Sequence, residues 1–472
     1  MGKNHMKMFD LIIIGGGASA FGASIRADEL RAKTAMINAG LPLGGTCVNV
    51  GCVPSKTLLY AGEIMHLARN HGIPGIELEV KKFDFRKVVQ DELALVETLR
   101  NEKYSTVLKG LEHVTFMEGR AQFVSSHEVE VSGETIHGEK IIIATGSTAS
   151  VPPIEGIRDA GFVTHIEALR LEKQPNELVV IGAGPVGLEF SQMYSRFGTN
   201  VTILELLPTI FPASEPELVD RLADILNREQ ITIKTGASAQ RAWKNRGRKI
   251  ISFTVGGKED QVSGDEILLA TGKTPNTAGL ALEAAGVTID ERRAIVVNDF
   301  LQTSQPHIFA AGDVINLPLR YEITAGHEGT LAADNALNGS QESIDYDSVP
   351  YTIFTDPQLA GVGLTEEEQM KRFGTCLCQT VPFTSVPKAI IMKRTEGLIK
   401  MAINPETHQI MGVHILAPYA GDLIAEAMIL VKNKNTIDDV VETLPMFPTL
   451  SEAIKLVAMS FIKDVTKLSC CV

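Results

Sequence analysis

The chain has 472 residues, which at about 150 residues per domain gives roughly three domains. Its 44% hydrophobic and 21% charged content is that of a globular protein, and a formal charge of −13 opposes nucleic acid or an anionic membrane as partner. No apolar run approaches the ~20 residues that cross a bilayer and the opening decapeptide has no signal core, so we expect a cytoplasmic protein; collagen-like, disordered, membrane and disulfide-scaffold classes are excluded.

An apolar strand over 9–14 leads into Gly15-Gly16-Gly17-Ala18-Ser19-Ala20 and an alanine-rich helix to about residue 33. A second strand over 34–37 ends at Asn38. The stretch 44–56 (Gly-Gly-Thr-Cys-Val-Asn-Val-Gly-Cys-Val-Pro-Ser-Lys) opens another helix and carries Cys47 and Cys52. A strand over 141–143 stops at Ala144-Thr145-Gly146, and Pro152-Pro153 soon after marks a crossing into a new domain.

The opening pattern then returns. A strand over 178–181 runs into Gly182-Ala183-Gly184-Pro185-Val186-Gly187, a helix to about residue 197, and a strand over 201–204 that ends at Glu205. The same 23 residues separate Gly15 from Asn38 and Gly182 from Glu205, which makes the two segments an internal repeat of βαβ dinucleotide-binding units. Glycine is needed there because backbone must approach a pyrophosphate closely, with the anion on the helix N-terminus. A strand over 267–269 stops at Ala270-Thr271-Gly272, a second exit. Further on, an apolar strand ends in Ala311-Gly312-Asp313 before a helix over 323–338. From about residue 345 the pattern is α+β: strands over 351–354, 361–363, 397–403 and 409–415, helices over 421–432, 436–443 and 450–463. The expected segments are therefore 1–148, 149–272, 273–344 and 345–472.

The six cysteines fall into three close pairs, which in a reducing compartment suggests redox chemistry or soft-metal binding. Cys47 and Cys52, five apart near one helical turn, can approach closely enough for a disulfide, and a helix N-terminus with Lys56 nearby lowers a thiolate pKa. Cys376 and Cys378 lie on one face of a strand by its period of two. They read either as incidental neighbours or as an auxiliary soft-metal site. Cys470 and Cys471 close the chain, and two vicinal thiols on a terminal tail suit a thiophilic ion.

The dithiol stretch 44–56, both glycine fingerprints and Ala311-Gly312-Asp313 together resemble the flavin-dependent disulfide oxidoreductases over essentially the whole chain. That resemblance implies an α/β, glutathione reductase-like architecture: two Rossmann-like dinucleotide-binding domains plus a C-terminal α+β dimerisation domain. It implies FAD on the first fingerprint through Gly15, Gly17, Ala20 and Asn38, with Gly45, Thr46, Lys56, Gly146 and Gly312 around it and Asp313 toward the ribityl chain. The nicotinamide cofactor is implied at Gly182, Gly184 and Gly187, and Glu189, Glu205 and Gly272 are further candidate cofactor-binding residues. Cys52 is implied as the thiolate facing the flavin, Cys47 as the outward interchange thiol, and Lys56 as the cation near the ring. The resemblance further implies a homodimer with active sites at the subunit interface.

Members of this family that reduce organic disulfides carry a His-Pro…Glu motif whose histidine moves the proton. The matching stretch here is Phe447-Pro448-Thr449-Leu450-Ser451-Glu452. Phenylalanine cannot act as an acid or base. With its Cys-Cys ending, the chain resembles the mercuric reductase branch. This implies that Hg(II)–thiol complexes are the substrate, taken up by Cys470 and Cys471 of the partner subunit, passed to Cys47 and Cys52, and reduced to Hg(0) with electrons from NAD(P)H through FAD. Tyr194 matches a tyrosine near the metal path of that branch. Two departures stand out: a tyrosine usually occupies the position of Phe447, and we expect a catalytic core without the metal-trapping Cys-x-x-Cys domain that precedes it in many relatives. The resemblance favours NADPH, which is the expectation here, whereas Glu205, with no arginine in Leu206-Leu207-Pro208, leaves NADH as the alternative. The alternative activity is that of a dihydrolipoamide dehydrogenase-like enzyme acting on a disulfide or quinone. A non-catalytic metal-sequestering protein would have no need of two nucleotide folds.

Overall fold

The computed structural model describes residues 6–317 and 319–469. The chain divides into two units, one made of residues up to 57, 89–150 and 272–346, the other of 58–88, 151–271 and the residues from 347 onward.

In the first unit, parallel strands lie in the order Val114–Glu118, Thr34–Asn38, Lys7–Ile14, Glu134–Ile143, and Ile308–Ala310 joins beside the last. Ile12 faces Ala35 on one side and Ile141 on the other. Leu11, Ile12 and Ile13 are fully buried, as continuous apolar runs must be in a parallel sheet covered on both faces. The helix Ala18–Glu29 is shorter than expected: Arg31 adopts a left-handed φ of 56°, and the Ala32 amide turns back to the Ala27 carbonyl. This helix packs against the helix Glu322–Asn338 so closely that a Cβ on Gly22 would lie 2.3 Å from the Gly326 carbonyl oxygen, and one on Gly329 2.0 Å from that of Ser19. Two short strands, Ser147–Ala149 and Lys273–Pro275, pair antiparallel where the chain leaves and re-enters this unit.

Three imidazoles stack in the first unit, with the rings of His127 and His307 3.9 Å apart and those of His127 and His137 5.4 Å apart. His307 bonds the Ser126 carbonyl, His127 the Gly138 carbonyl, and His137 faces Glu139. Burial lowers the His307 pKa, and the charges of His127 and Lys140 act the same way against the Ser126 bond. With its native pKa below the unfolded one, His307 contributes stability above about pH 6.5 that is lost as pH falls below that value toward its lowered native pKa. We expect the melting temperature to drop less between about pH 7.5 and 5.5 in His307→Gln than in the wild type. Equal slopes would exclude the stack as the cause.

The second unit repeats the βαβ plan. Parallel strands lie in the order Thr232–Lys234, Asn200–Leu204, Glu177–Ile181, Glu266–Leu269, and the helix Pro185–Phe197 follows the second glycine turn. It also holds a three-stranded antiparallel sheet, Ser238–Asn245, Arg248–Val255, Lys258–Gly264, and a five-stranded antiparallel sheet in the order Tyr351–Ile353, Gln358–Gly363, Ile410–Ala417, Leu398–Ile403, Leu377–Pro382. The helices Ala420–Lys432 and Glu452–Met459 contribute Ile424, Ala427, Ile454 and Val457 to its core. The last helix ends at Met459, before the expected residue 463.

Residues 58–88 group with the second unit, although local pattern assigned them to the first. Phe83 stacks on Phe197 at 5.0 Å, and Arg394 pairs with Glu63. Lys400, with a 3% exposed side chain, meets Glu215, Glu217 and Glu366 at 2.7–2.9 Å. Removing this lysine would strand the buried Glu215, a defect that typically costs about 3–5 kcal/mol. Among the described residues no helix is long and apolar enough to cross a membrane.

Candidate redox centre and dinucleotide sites

Cys47 and Cys52 do not share one helix. Cys47 lies in the short helix Gly45–Val50, and Cys52 is the first residue of the 19-residue helix Cys52–Asn70. Gly51 forces the break: its backbone leaves helical angles, and a Cβ there would lie 2.9 Å from the Thr46 carbonyl oxygen. Asn49 locks the preceding loop by donating to the carbonyls of Pro42, Leu43 and Gly45, and Arg100 donates to its side-chain oxygen.

Both cysteines are present as thiols, but their exposure is the reverse of the expectation: Cys47, expected as the outward interchange thiol, is half-buried, and Cys52 is exposed. The hydrogen bond to Cys52 drives the Cys47 pKa far up, and burial and the negative charges of Cys52 and Glu322 push it further. Cys52 is therefore the thiol of the pair that ionises first, helped by the positive end of its long helix. Lys56 sits one turn along that helix, on the face of Cys52. Tyr104 belongs to the same centre; burial, with the charges of Cys47 and Glu322, pushes its hydroxyl up to about 12.

Around the first fingerprint, the structure brings the expected residues together. Gly15 has a φ of +148°, and a Cβ on it would lie 2.1 Å from the Ala144 carbonyl oxygen. A Cβ on Gly45 would reach 2.6 Å from the Gly17 Cα, and Gly44 donates its amide to the Gly16 carbonyl. Gly17 caps the helix Ala18–Glu29 without any side-chain hydrogen bond. Ala20 is fully buried, Asn38 lies against Gly16, and Thr46 is half-buried in the dithiol helix. Asp313 accepts from the Ser147 hydroxyl at 2.6 Å, while Asn276 donates its amide to the Gly146 carbonyl. This side-chain-free cradle before a helix N-terminus fits the pyrophosphate of a dinucleotide.

Sequence reasoning missed Glu328. Its carboxyl accepts from the Gly312 amide at 2.6 Å and the Tyr346 hydroxyl at 2.9 Å, fixing the turn that presents Asp313, and burial raises its pKa. An acidic residue inside an otherwise alanine- and glycine-rich helix was the available signal.

The second fingerprint is built the same way. A Cβ on Gly182 would lie 2.4 Å from the Ala270 carbonyl oxygen and one on Gly187 2.0 Å from that of Gly182, whereas space is open in front of Gly184. Gly184 caps its helix with no side-chain bond, so this cradle also fits a dinucleotide pyrophosphate. Glu205 is held by the Ala183 amide at 2.6 Å and the Leu207 amide at 2.8 Å. Buried Glu189 accepts from the Phe354 amide, which ties the helix to the C-terminal sheet. Gly272 instead belongs to the first unit, its carbonyl receiving the Ser150 amide.

Tyr194 requires a correction. It is fully buried, packs on Phe85 and Phe197, and donates its hydroxyl to the Ala168 carbonyl at 2.5 Å. Burial raises its pKa. In this structure it is a packing residue with its hydroxyl already engaged. Phe447 is 44% exposed, and Glu452, deprived of a base to orient, accepts from the Thr449 amide. Cys376 and Cys378 are joined in a disulfide. Cys470 and Cys471 lie outside the described residues.

A close thiol pair beside one dinucleotide cradle, with a second cradle in the same chain, defines a nucleotide-dependent dithiol oxidoreductase. Residues 9–338 match the pyridine nucleotide-disulphide oxidoreductase family model and residues 349–458 that family's dimerisation domain, so the chain belongs to this family. It is 38% identical to the mercuric reductase of Lysinibacillus sphaericus over 98% of this chain and 84% of that protein. It is also 38% identical to the dihydrolipoyl dehydrogenase of Thermus scotoductus, over 95% of this chain and 96% of that protein. The solved Cu(II) complex of the HOCl-induced flavoprotein disulfide reductase RclA from Escherichia coli superposes with a TM-score of 0.86 at 28% identity, over 97% of this chain and 100% of that one.

Proposed function

We propose that this protein is an NAD(P)H-dependent, FAD-containing mercury(II) reductase of the cytoplasm, working as a homodimer. The observation that carries the reading is the Cys47–Cys52 thiol pair combined with Phe447 where the disulfide-reducing members place their proton-transfer histidine. The similarity to named mercuric reductases supports it. We assign 1–148 and 273–344 to FAD, 149–272 to NAD(P)H, and 345–472 to the dimer interface.

A flavin held at the first cradle would supply two electrons to keep the Cys47–Cys52 pair as thiols and, recharged by a second NAD(P)H, two more to reduce the metal while both sulfurs stay thiolate. The Cys52 thiolate is the nucleophile that enters the coordination of a thiol-bound Hg(II) and releases one small thiolate. Cys47 keeps its proton until this moment, because its pKa is driven up. It passes that proton to the first departing thiolate and, now a thiolate itself, displaces the second small thiolate from the metal and takes its position. Hg(II) favours two thiolates in line, so a pair of cysteines suits each stage of transfer. Two electrons then convert Hg(II) to Hg(0), which leaves because it has little affinity for thiolate. No step calls for a separate acid at Phe447. Lys56 lies on the Cys52 face of the helix, one turn along.

The test is anaerobic: NADH and NADPH oxidation by flavin-loaded protein with Hg(II) in excess small thiol, with volatile Hg(0) trapped. Stoichiometric Hg(0) is expected. Oxidation only with lipoamide or a quinone would instead support the dehydrogenase-like reading. The Cys470→Ser/Cys471→Ser variant is expected to turn over thiol-bound Hg(II) at least about tenfold more slowly, because the tail raises the local concentration of metal at the centre. Full activity in this variant under excess thiol would end the relay assignment.

A further inference from the structure

Cys376 and Cys378 belong to neither dinucleotide fold and play no part in the chemistry of Cys47 and Cys52. We propose that they form a second thiol/disulfide couple which, once reduced, chelates one soft cation of linear preference such as Hg(II).

Four observations support this site. The chain leaves the helix Glu366–Phe373 through left-handed Gly374, passes Cys376, and enters the strand Leu377–Pro382 with Cys378 as its second residue. Cys376, just before the strand, and Cys378, inside it, have their Cα atoms 6.2 Å apart and their sulfurs bonded. The strand is the edge of its sheet, paired only with Leu398–Ile403, and both cysteines are half-buried, leaving the pair open to small molecules. Gln369 holds the reduced state ready: its amide nitrogen donates to the Ile403 carbonyl at 2.8 Å, and its oxygen lies 3.4 Å from the Cys376 sulfur, where it accepts from a thiol.

The chemistry balances with a low-molecular-weight monothiol as reductant. A first thiolate attacks one sulfur of the disulfide to give a mixed disulfide, and a second displaces the protein thiolate. The small molecules leave as their own disulfide, and Cys376 and Cys378 gain two electrons and two protons. Binding Hg(II) then releases these two protons as both sulfurs become thiolate ligands. Among the described residues no group of three or more histidines, cysteines or carboxylates is placed to hold a metal. The site therefore offers two sulfurs, which suits a linear soft cation and not zinc, whose structural sites take four ligands.

The experiment uses the full flavin-loaded chain without NAD(P)H, so it stands apart from turnover and from the proposed reaction. In protein never exposed to reductant, alkylation and peptide mass spectrometry are expected to find Cys376 and Cys378 blocked, and open after treatment with a small monothiol. Reduced wild-type protein, titrated with Hg(II) against a competing monothiol, is expected to hold one equivalent more per chain than Cys376→Ser/Cys378→Ser, with no such difference for Zn(II). Cys378→Ser alone should lose the same equivalent, which keeps the test decisive if the double variant fails to fold. Alkylation of both cysteines in untreated protein would overturn the couple. Equal Hg(II) stoichiometry in wild type and variants would overturn the metal site.

Discussion

Replacing Cys52 with alanine is expected to lower NAD(P)H-dependent Hg(II) reduction by at least ~10³-fold, the scale seen when a catalytic nucleophile is removed. The variant should still retain flavin, because the first glycine cradle is built from Gly15, Gly17 and Gly45, none of which depends on this sulfur. Cys47 cannot take over. It is half-buried, and its pKa stays raised by desolvation and by Glu322 even without the Cys52 charge. The companion variant Cys47→Ala separates the two roles. In the wild type the Cys47 thiol hydrogen-bonds to Cys52, and such a donor favours a thiolate at its acceptor; Cys47→Ala removes it. Alkylation of Cys52 followed against pH should therefore show its midpoint at higher pH in Cys47→Ala. An unchanged or lower midpoint would contradict the assignment of Cys52 as the first thiolate.

The second large effect concerns the nicotinamide cofactor. NADH is expected to exceed NADPH in kcat/KM by about 10²-fold or more. Two unit charges 4 Å apart near a protein surface repel by ~4 kcal/mol before salt screening, and a 2′-phosphate would meet Glu205 at such a distance. The carboxylate cannot swing away cheaply, because the Ala183 and Leu207 amides hold one oxygen each. Each oxygen keeps a second lone pair for a ribose hydroxyl. The segment that follows, Leu206 to Phe211, contains no lysine or arginine to receive a phosphate. Glu205→Gln removes the charge while keeping one acceptor, and should bring the two cofactors to within about tenfold, mainly by improving NADPH. Steady-state comparison of both cofactors with both proteins checks this. A wild-type preference for NADPH would show that the phosphate is met by residues other than those near Glu205.

Both expectations rest on residues that could be found in the sequence, and the reason is physical. Glycine fingerprints, buried apolar strands and a Cys-x₄-Cys stretch are local devices. Gly15 and Gly182 are glycines because the carbonyls of Ala144 and Ala270 leave no room for a Cβ, and the strand before each reads as an unbroken apolar run. Spacing alone then identified the repeat, and Asn38 and Glu205 fell at equivalent strand ends.

Other features turn on contacts that no periodicity announces, some local and some between residues far apart in the chain. The break at Gly51, which gives Cys52 the head of its own long helix, depends on how closely the Thr46 carbonyl lies. Glu328, more than a dozen residues beyond Asp313, fixes that turn through a hydrogen bond that no periodicity announces. Tyr194 has the composition of a site residue, but packing against Phe85 and Phe197 takes it into a core. The same aromatic cluster draws residues 58–88 into the second unit. Cys376 and Cys378 could be read as neighbours on a strand; only the bend after Gly374 brings their sulfurs into a bond. The two nucleotide folds were legible in the sequence, and Cys47 and Cys52 could be picked out as a pair, because close backbone approach and burial restrict residue type position by position. Which thiol keeps its proton and which polar groups are already engaged were set by burial and hydrogen bonding between segments that the chain keeps apart, as Glu322 acts on Cys47 and Glu328 on Gly312, whereas the second thiol pair closes through a local bend that its residue types do not announce.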